Sequence, residues 1–194
     1  MNVMVDSAMA HVVLFHSMLG LRPVEQLAAE RLRQAGHQVT TPDLYLGRTA
    51  NTMAEGYALM DDVGWSAITR RAREAMRGVP ADSVLMGVSM GVGVVSSLWA
   101  EWPQTAGVVL LHAVATLPAD ARPGLCLQVH AGEADEFAPL PELAVLQSSA
   151  TDAAVAAQVF TYPGVGHFYT DPLLPEHDAH AAELTWQRIL SLLS

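Results

Sequence analysis

Short apolar runs alternate with segments of helical periodicity along the whole chain, and no internal repeat or Gly/Ser-rich linker interrupts them. Strands are predicted at residues 10–16, 38–41, 83–88, 107–112, 125–130 and 157–162. Helices are predicted at residues 23–35, 64–77, 90–101, 140–148 and 178–193, and residues 44–63 are predicted to form a loop with a short helix. This alternation favours a single α/β domain over residues 1–194, with a mostly parallel sheet of about six strands flanked by helices.

Composition and charge narrow the functional classes. Hydrophobic residues make up 51% of the 194 positions and charged residues only 15%, so the chain can bury a core. Ten basic and twenty acidic residues give a net charge of −10, which argues against nucleic acid as a partner. The single cysteine, Cys126, excludes an internal disulfide and thiolate zinc sites. No apolar run could span a membrane, and no basic residue precedes Arg22, so a cytoplasmic protein is expected, with a monomer as the default.

The sequence Gly87-Val88-Ser89-Met90-Gly91 has the form G-x-S-x-G. It stands between a predicted strand and a predicted helix, where a nucleophile elbow would hold a serine hydroxyl above the sheet edge. The same residues have two other interpretations. A glycine-rich turn that only closes the helix against the strand remains open, whereas a dinucleotide loop at Gly91-Val92-Gly93 lacks its third glycine.

A serine nucleophile needs a base, and the base needs an acid that orients it, in the chain order Ser, acid, His. The histidines after Ser89 are His112, His130, His167, His177 and His180. His167 is the candidate base, because it lies in a glycine-rich loop after the last predicted strand. His112 and His130 end strands and are interpreted as structural. His177 and His180 are interpreted as surface residues, since no third metal ligand lies near them.

The candidate acid follows the strand that ends at His130. Asp135 is preferred because a short side chain on a tight loop would hold the imidazole N–H with little freedom. Glu133 and Glu136 are the alternatives, with exposed loop charges as their simpler interpretation.

Four ordered motifs resemble the dienelactone hydrolase family of α/β hydrolases. They are Pro42-Asp43-Leu44-Tyr45, the elbow at residues 87–91, His130-x-Gly132-x-x-Asp135-Glu136-Phe137, and Tyr162-Pro163-Gly164-x-Gly166-His167. The resemblance covers most of the chain and implies an α/β-hydrolase fold and a Ser89–His167–Asp135 triad. It also implies an oxyanion hole formed by the backbone N–H groups of Met90 and Met18.

The chain departs from that family pattern in several places. Well-known members carry a cysteine where this chain has Ser89, and a glutamate where it has Ser17. An arginine expected just after the family histidine aligns with Asp171, whose carboxylate would repel an anionic substrate. The chain is also expected to lack the family's N-terminal antiparallel strand pair.

These features predict a serine hydrolase of a small uncharged carboxylic ester or lactone, which works through an acyl-enzyme without a metal or organic cofactor. The alternatives are an acyltransferase or lactone-forming cyclase with the same triad, and a non-catalytic binding protein on a hydrolase scaffold. Candidates for an apolar pocket wall are Leu19, Leu21, Val165 and Phe168, although such residues are as often plain core.

Overall fold

The computed structural model describes residues 9–194, in which six strands form one sheet with helices on both faces. The strands are β1 His11–Phe15, β2 Gln38–Thr40, β3 Val84–Val88, β4 Gly107–Leu111, β5 Cys126–Gly132 and β6 Ala156–Tyr162. The helices are α1 Pro23–Gln34, α2 Met53–Val63, α3 Trp65–Met76, α4 Met90–Leu98, α5 Leu140–Asp152 and α6 Ala179–Leu193.

All six strands are parallel, in the order β2-β1-β3-β4-β5-β6. The chain builds outward in opposite directions from β1 and β3, so the loops after these two strands diverge at the carboxyl edge of the sheet, where ligands bind in open α/β folds. Between residues 9 and 194 the sheet contains no antiparallel pair. The predicted α/β-hydrolase architecture, with a mostly parallel sheet of six strands flanked by helices, is therefore confirmed. The expected lack of the N-terminal pair concerns the start of the chain, where residues 1–8 lie outside the described part.

The alternation of side chains along the strands divides the core between two layers. Val13, Phe15 and Leu85 face the layer that includes α3 and α4, whereas Leu14 and Met86 face the layer that includes α1 and α6. This alternation explains why the strands, which are buried on both faces, appear in the sequence as continuous apolar runs.

The segment at residues 44–63, predicted as a loop with a short helix, contains a regular helix of about three turns. Residues 53–63 form α2, which begins after Thr52, whose hydroxyl accepts a hydrogen bond from the N–H of Glu55 at 3.2 Å. The Glu55 carboxylate accepts in turn from the N–H of Asn51 at 2.8 Å. This cap was the sequence signal for the helix. Among the other predicted elements, the largest differences are at the ends of two helices: α4 ends at Leu98 and continues as a short 3-10 turn, and α5 extends to Asp152.

The predicted buried faces of the helices are largely observed. On α3, Ile68, Ala72 and Met76 are buried, but Trp65 at its start is 43% exposed. None of the helices in residues 9–194 is long and apolar enough to cross a bilayer.

Candidate active site

Ser89 lies in a strained turn between β3 and α4. Its backbone has φ 52° and ψ −112°, a left-handed conformation that residues other than glycine rarely adopt. The flanking glycines allow the turn to pack. A Cβ on Gly87 would lie 2.5 Å from the carbonyl carbon of Gly91, and a Cβ on Gly91 would lie 2.2 Å from the carbonyl oxygen of Phe15. The G-x-S-x-G spacing is thus required by steric contact on both sides of the serine.

The structure brings together Ser89, His167 and Asp135. Ser89 Oγ lies 2.8 Å from His167 Nε2, and His167 Nδ1 lies 2.9 Å from each carboxylate oxygen of Asp135. The carboxylate accepts a further hydrogen bond from the N–H of Phe137 at 2.9 Å. The Asp135 side chain is fully buried and the His167 side chain is 12% exposed. This arrangement lets Nδ1–H donate to the carboxylate while Nε2 accepts the serine proton.

The loops that carry the acid and the histidine are packed directly on each other. A Cβ on Gly132 would lie 2.3 Å from the carbonyl oxygen of Val165, and the N–H of Ala134 donates to that same oxygen at 3.2 Å. Glu133 and Glu136, the alternative acids, are exposed. Of the three carboxylates, only Asp135 reaches the imidazole.

Two backbone N–H groups at the carboxyl edge of the sheet suit an oxyanion. Met90 is the first residue of α4, so its N–H has no intrahelical acceptor. In the loop after β1, the N–H groups of Leu19 and Gly20 bond to the hydroxyl and carbonyl of Ser17, and Met18 takes no part in these bonds. The loops of Met18 and Met90 are adjacent, because Gly91 packs against the end of β1.

The Pro42-Asp43-Leu44-Tyr45 motif supports both of these loops. The N–H of Leu44 donates to His16 Nε2 at 3.0 Å, while His16 Nδ1 lies 2.7 Å from the carbonyl oxygen of Ser17. Tyr45 Oη donates to the sulfur of Met90 at 3.0 Å. Burial lowers the pKa of His16 and raises the pKa of Tyr45 to about 12, so both side chains remain neutral hydrogen-bonding supports.

A buried polar network, which sequence reasoning missed, joins the loop after β1 to the loop that carries His167. Glu25, on α1, accepts hydrogen bonds from the hydroxyl of Ser17 at 3.2 Å and from the N–H of Arg22 at 2.9 Å. The Arg22 guanidinium forms an ion pair with Asp171, four residues after His167. The side chains of Arg22 and Asp171 are only 6% and 4% exposed.

This ion pair corrects the expectation about Asp171. The carboxylate is not a free negative charge that would repel an anionic substrate, because Arg22 neutralises it inside the protein. The sequence hid this pairing because the partners lie 149 positions apart.

The remaining histidines serve the packing of the site. His112 Nε2 lies 2.7 Å from Thr170 Oγ1, and the rings of His112 and His167 are 5.8 Å apart. His130 is held between Tyr162 Oη at 2.9 Å and Gln128 Oε1 at 3.1 Å. Burial lowers the pKa of His112 well below its usual range and that of His130 to about 3. Both residues are neutral structural histidines, as the sequence indicated.

The residues suggested for a pocket wall are mostly packed inside the protein. Leu19 and Phe168 belong to the core on the α3–α4 side of the sheet, and Val165 belongs to a smaller cluster with Tyr162 and Tyr169. Leu21 is half-buried beside a shallow surface depression. The core interpretation therefore holds for Leu19 and Val165, because the two loops that carry them fold inward. Phe168 also borders the cavity described below.

Metal ligation has no support from the described residues. Between residues 9 and 194, no three His, Cys, Asp or Glu side chains are grouped so as to hold a metal ion. His177 Nδ1 donates a hydrogen bond to the carbonyl oxygen of Tyr169 at 3.0 Å.

Comparison with known proteins shows which family and which folds this chain resembles. A sequence model of the dienelactone hydrolase family matches residues 3–194. Among solved structures, the chain resembles the dienelactone hydrolase-like promiscuous phosphotriesterase P91 from metagenomic libraries, with 20% identity, a TM-score of 0.77, and 95% and 85% of the two chains covered. It also resembles a CIB-like hydrolase from Thermoplasma acidophilum, with 23% identity, a TM-score of 0.63, and 96% and 88% covered.

A third similar structure belongs to work on LipS and LipT, two metagenome-derived lipolytic enzymes, with 16% identity, a TM-score of 0.69, and 96% and 94% covered. No curated protein sequence matches the chain.

Proposed function

Because the chain belongs to the dienelactone hydrolase family and is therefore a hydrolase of the ester and lactone type, we propose that it cleaves small uncharged carboxylic esters or lactones through an acyl-enzyme on Ser89. The observation that carries this proposal is the hydrogen-bonded line from Ser89 Oγ through His167 to Asp135, with contacts of 2.8 and 2.9 Å. A serine in a purely structural turn would need neither the imidazole nor the buried carboxylate behind it.

In the proposed reaction, His167 Nε2 takes the proton of the Ser89 hydroxyl as the oxygen attacks the ester carbonyl. Asp135 stabilises the imidazolium that forms, and the N–H groups of Met18 and Met90 bind the oxyanion. His167 then gives the proton to the leaving alcohol. Water then attacks the acyl carbon as His167 Nε2 takes one of its protons. The bond between Ser89 Oγ and the acyl carbon breaks, His167 returns the proton to Ser89 Oγ, and the acid is released.

The proposal that a serine is the nucleophile agrees with the residue at position 17, which is also a serine and not the family's glutamate. In this chain the position of the family glutamate holds a hydroxyl that donates to Glu25 rather than a carboxylate. A serine activated by histidine needs no carboxylate to convert a thiol to a thiolate. The buried Glu25 is engaged by two donors on the loop after β1.

The preference for an uncharged substrate rests on the charge of the whole chain. The net charge of −10 disfavours the approach of an anion. Arg22 is bound to Asp171 inside the protein, so it is not free to hold a substrate carboxylate. The solved relative P91 is named for promiscuous activity on phosphotriesters, which are also uncharged esters.

Covalent labelling tests the nucleophile. A fluorophosphonate probe is expected to label the wild-type protein and not Ser89→Ala, because only the histidine-activated hydroxyl attacks phosphorus at an appreciable rate. His167→Ala should lose turnover of 4-nitrophenyl esters by several orders of magnitude, since such residues act as a unit. Ser148→Ala and His180→Ala, at exposed positions, are the matched controls. Labelling that persists in folded Ser89→Ala would refute the proposal.

Substrate charge is tested with two esters of matched length, 4-nitrophenyl hexanoate and mono-4-nitrophenyl adipate. The uncharged ester should have the higher kcat/KM, and the ratio should shrink as salt shortens the Debye length from about 30 Å at 0.01 M to about 8 Å at 0.15 M. A preference for the anionic adipate at low salt would contradict the uncharged assignment. Adding a small alcohol to the hexanoate assay shows whether water or the alcohol receives the acyl group.

A further inference from the structure

A cavity of about 340 Å³ lies between α1 and α6, on the opposite face of the sheet from α3 and α4. We call it the α1–α6 cavity. Its floor is formed by side chains of three neighbouring strands, Leu14, Val88 and Leu111, and its walls include Ala28 of α1 and Trp186 of α6. This volume falls in the range of small-molecule sites. More of the lining surface is apolar than polar, and the polar lining residues are Ser17, Glu25, Thr170, His177 and the members of two ion pairs, Arg22–Asp171 and Arg31–Glu183.

The α1–α6 cavity is separate from the candidate active site but touches its supports. Neither Ser89 nor His167 lines it. Three of its lining residues are nevertheless chain neighbours of proposed catalytic groups: Ser17 precedes Met18, Val88 precedes Ser89, and Phe168 follows His167. A molecule in the cavity would therefore contact the back of the loops that carry the catalytic groups.

The charges around the cavity indicate what it can hold. Arg22 is paired with Asp171, and Arg31 with Glu183 at 2.8 Å, so a carboxylate already balances the charge of each guanidinium. The buried Nε of Arg22 has no hydrogen-bond partner among the described residues, and it can donate to a polar group without a net charge. The Glu25 carboxylate accepts hydrogen bonds from Ser17 and Arg22, and burial raises its pKa. A charged ligand would lose its hydration here without gaining an opposite charge, which is costly.

We propose that the α1–α6 cavity is a second ligand site, which takes an uncharged and mainly apolar small molecule with one polar end. At about 30 Å³ for each water-sized group, the cavity has room for roughly a dozen non-hydrogen atoms. The polar end would lie near Ser17 and Thr170, which line the cavity, and the apolar part would lie on Leu14, Leu111 and Trp186. Binding there does not require Ser89, so it goes beyond the proposed hydrolysis.

The binding test uses three probes that share a phenyl ring on a four-carbon chain and end in a neutral, an anionic or a cationic group: 4-phenylbutan-1-ol, 4-phenylbutanoate and 4-phenylbutylammonium. Trp186 lines the cavity, whereas Trp65, Trp99 and Trp102 do not, so tryptophan fluorescence reports binding. The alcohol should give a saturable change, and both ions should bind roughly tenfold or more weakly because their charge is desolvated. The signal should disappear in Trp186→Phe and persist in Ser89→Ala, so binding is measured whether or not Ser89 is a nucleophile.

Matched variants locate the site. Ala28→Phe places a ring inside the cavity and should abolish binding, while Ala144→Phe, at an exposed position on α5, should leave it unchanged. If Ala28→Phe does not fold, Ala182→Leu on the facing wall replaces it. Equal binding of all three probes, or unchanged binding in a folded cavity variant, would overturn the proposal.

Kinetics distinguish a second site from an extension of the active site. With 4-nitrophenyl hexanoate as substrate, 4-phenylbutan-1-ol should not compete with the ester, because the two molecules occupy different sites. Any inhibition by the alcohol should therefore be non-competitive. A purely competitive pattern would show that the cavity belongs to the ester-binding site, and the second-site proposal would fail while the hydrolase proposal would stand.

Discussion

At the scale of single residues, short contacts rather than side-chain chemistry explain most of the G-x-S-x-G motif. Ser89 is held at φ 52°, and the two glycines remove the atoms that would collide with α4 and with β1. The serine hydroxyl is thereby exposed to His167 while its backbone N–H bonds to the carbonyl oxygen of Leu111 at 2.8 Å. Backbone strain of this kind is common at functional sites, where the surrounding fold compensates for it.

Gly91→Ala tests this steric argument. Its new Cβ would lie 2.2 Å from the Phe15 carbonyl oxygen, which belongs to β1 and cannot move away easily. We expect a loss of at least about 1–3 kcal/mol in the free energy of unfolding, together with lower ester turnover, as urea denaturation and 4-nitrophenyl ester assays would measure.

Gly93→Ala is the matched control on the same helix. Its Cβ would lie 3.0 Å from the edge of the half-exposed Trp65 ring, which can shift. Alanine also favours a helix interior over glycine by up to about 1 kcal/mol. We therefore expect near-neutral stability and retained activity, and equal effects of the two substitutions would contradict the steric explanation.

At the scale of elements, the candidate site depends on loops from different strands that are fastened to one another. The acid loop packs on the histidine loop through Gly132, and the elbow packs on β1 through Gly91. The Arg22–Asp171 ion pair adds a third contact of this kind, because it joins the loop after β1 to the loop that follows β6. Each loop is thus held by at least one contact with a loop that is distant in sequence.

Arg22→Met should be strongly destabilising. It leaves the Asp171 carboxylate buried without its partner, which typically costs about 3–5 kcal/mol. The exposed pair Arg70–Glu74 on α3 provides the control, since Arg70→Met should cost less than about 1 kcal/mol.

Urea denaturation at neutral pH measures both variants. The double variant Arg22→Met/Asp171→Leu should recover much of the lost stability, because it removes the uncompensated charge along with its partner. A loss no larger for Arg22→Met than for Arg70→Met would show that the ion pair contributes little.

At the scale of the whole molecule, buried neutral histidines make the stability of the fold depend on pH. Desolvation is the main cause that lowers the pKa of His130 to about 3, and the nearby positive charge of Arg188 adds to it. In the unfolded chain the imidazole titrates near its usual value of 6.5. Between these two values the unfolded state binds a proton that the folded state does not. His130 therefore stabilises the fold above pH 6.5, and this contribution is lost as the pH falls toward 3.

His130→Gln should remove this dependence. As the pH is lowered from 6.5, the free energy of unfolding of the wild type should fall relative to that of the variant, by at most about 1.4 kcal/mol per pH unit. Urea denaturation at several pH values measures the difference, with His180→Gln as the control for the substitution at an exposed position. If the free energies of unfolding of wild type and His130→Gln changed equally with pH, His130 would not be the source of the pH dependence.

The sequence alone was enough to predict most strands and helices, and the order along the chain of the three motifs that follow strands. Continuous apolar runs indicated strands buried on both faces, and the motifs at Ser89, Asp135 and His167 each followed such a run. These features are local, because periodicity and turn composition depend on residues a few positions apart. Local signals were weaker for α2, whose Thr52–Glu55 cap went unrecognised in a segment without a clear apolar stripe.

Only the tertiary structure decided which residues meet. It brought Asp135, rather than Glu133 or Glu136, to His167, and it paired Arg22 with Asp171. It also packed Leu19 and Val165 in the core and left the α1–α6 cavity between two helices. Contacts between positions 149 apart, or the volume left between two helices, leave no periodic trace in a sequence. They depend on how elements pack, and packing is a property of the folded chain as a whole.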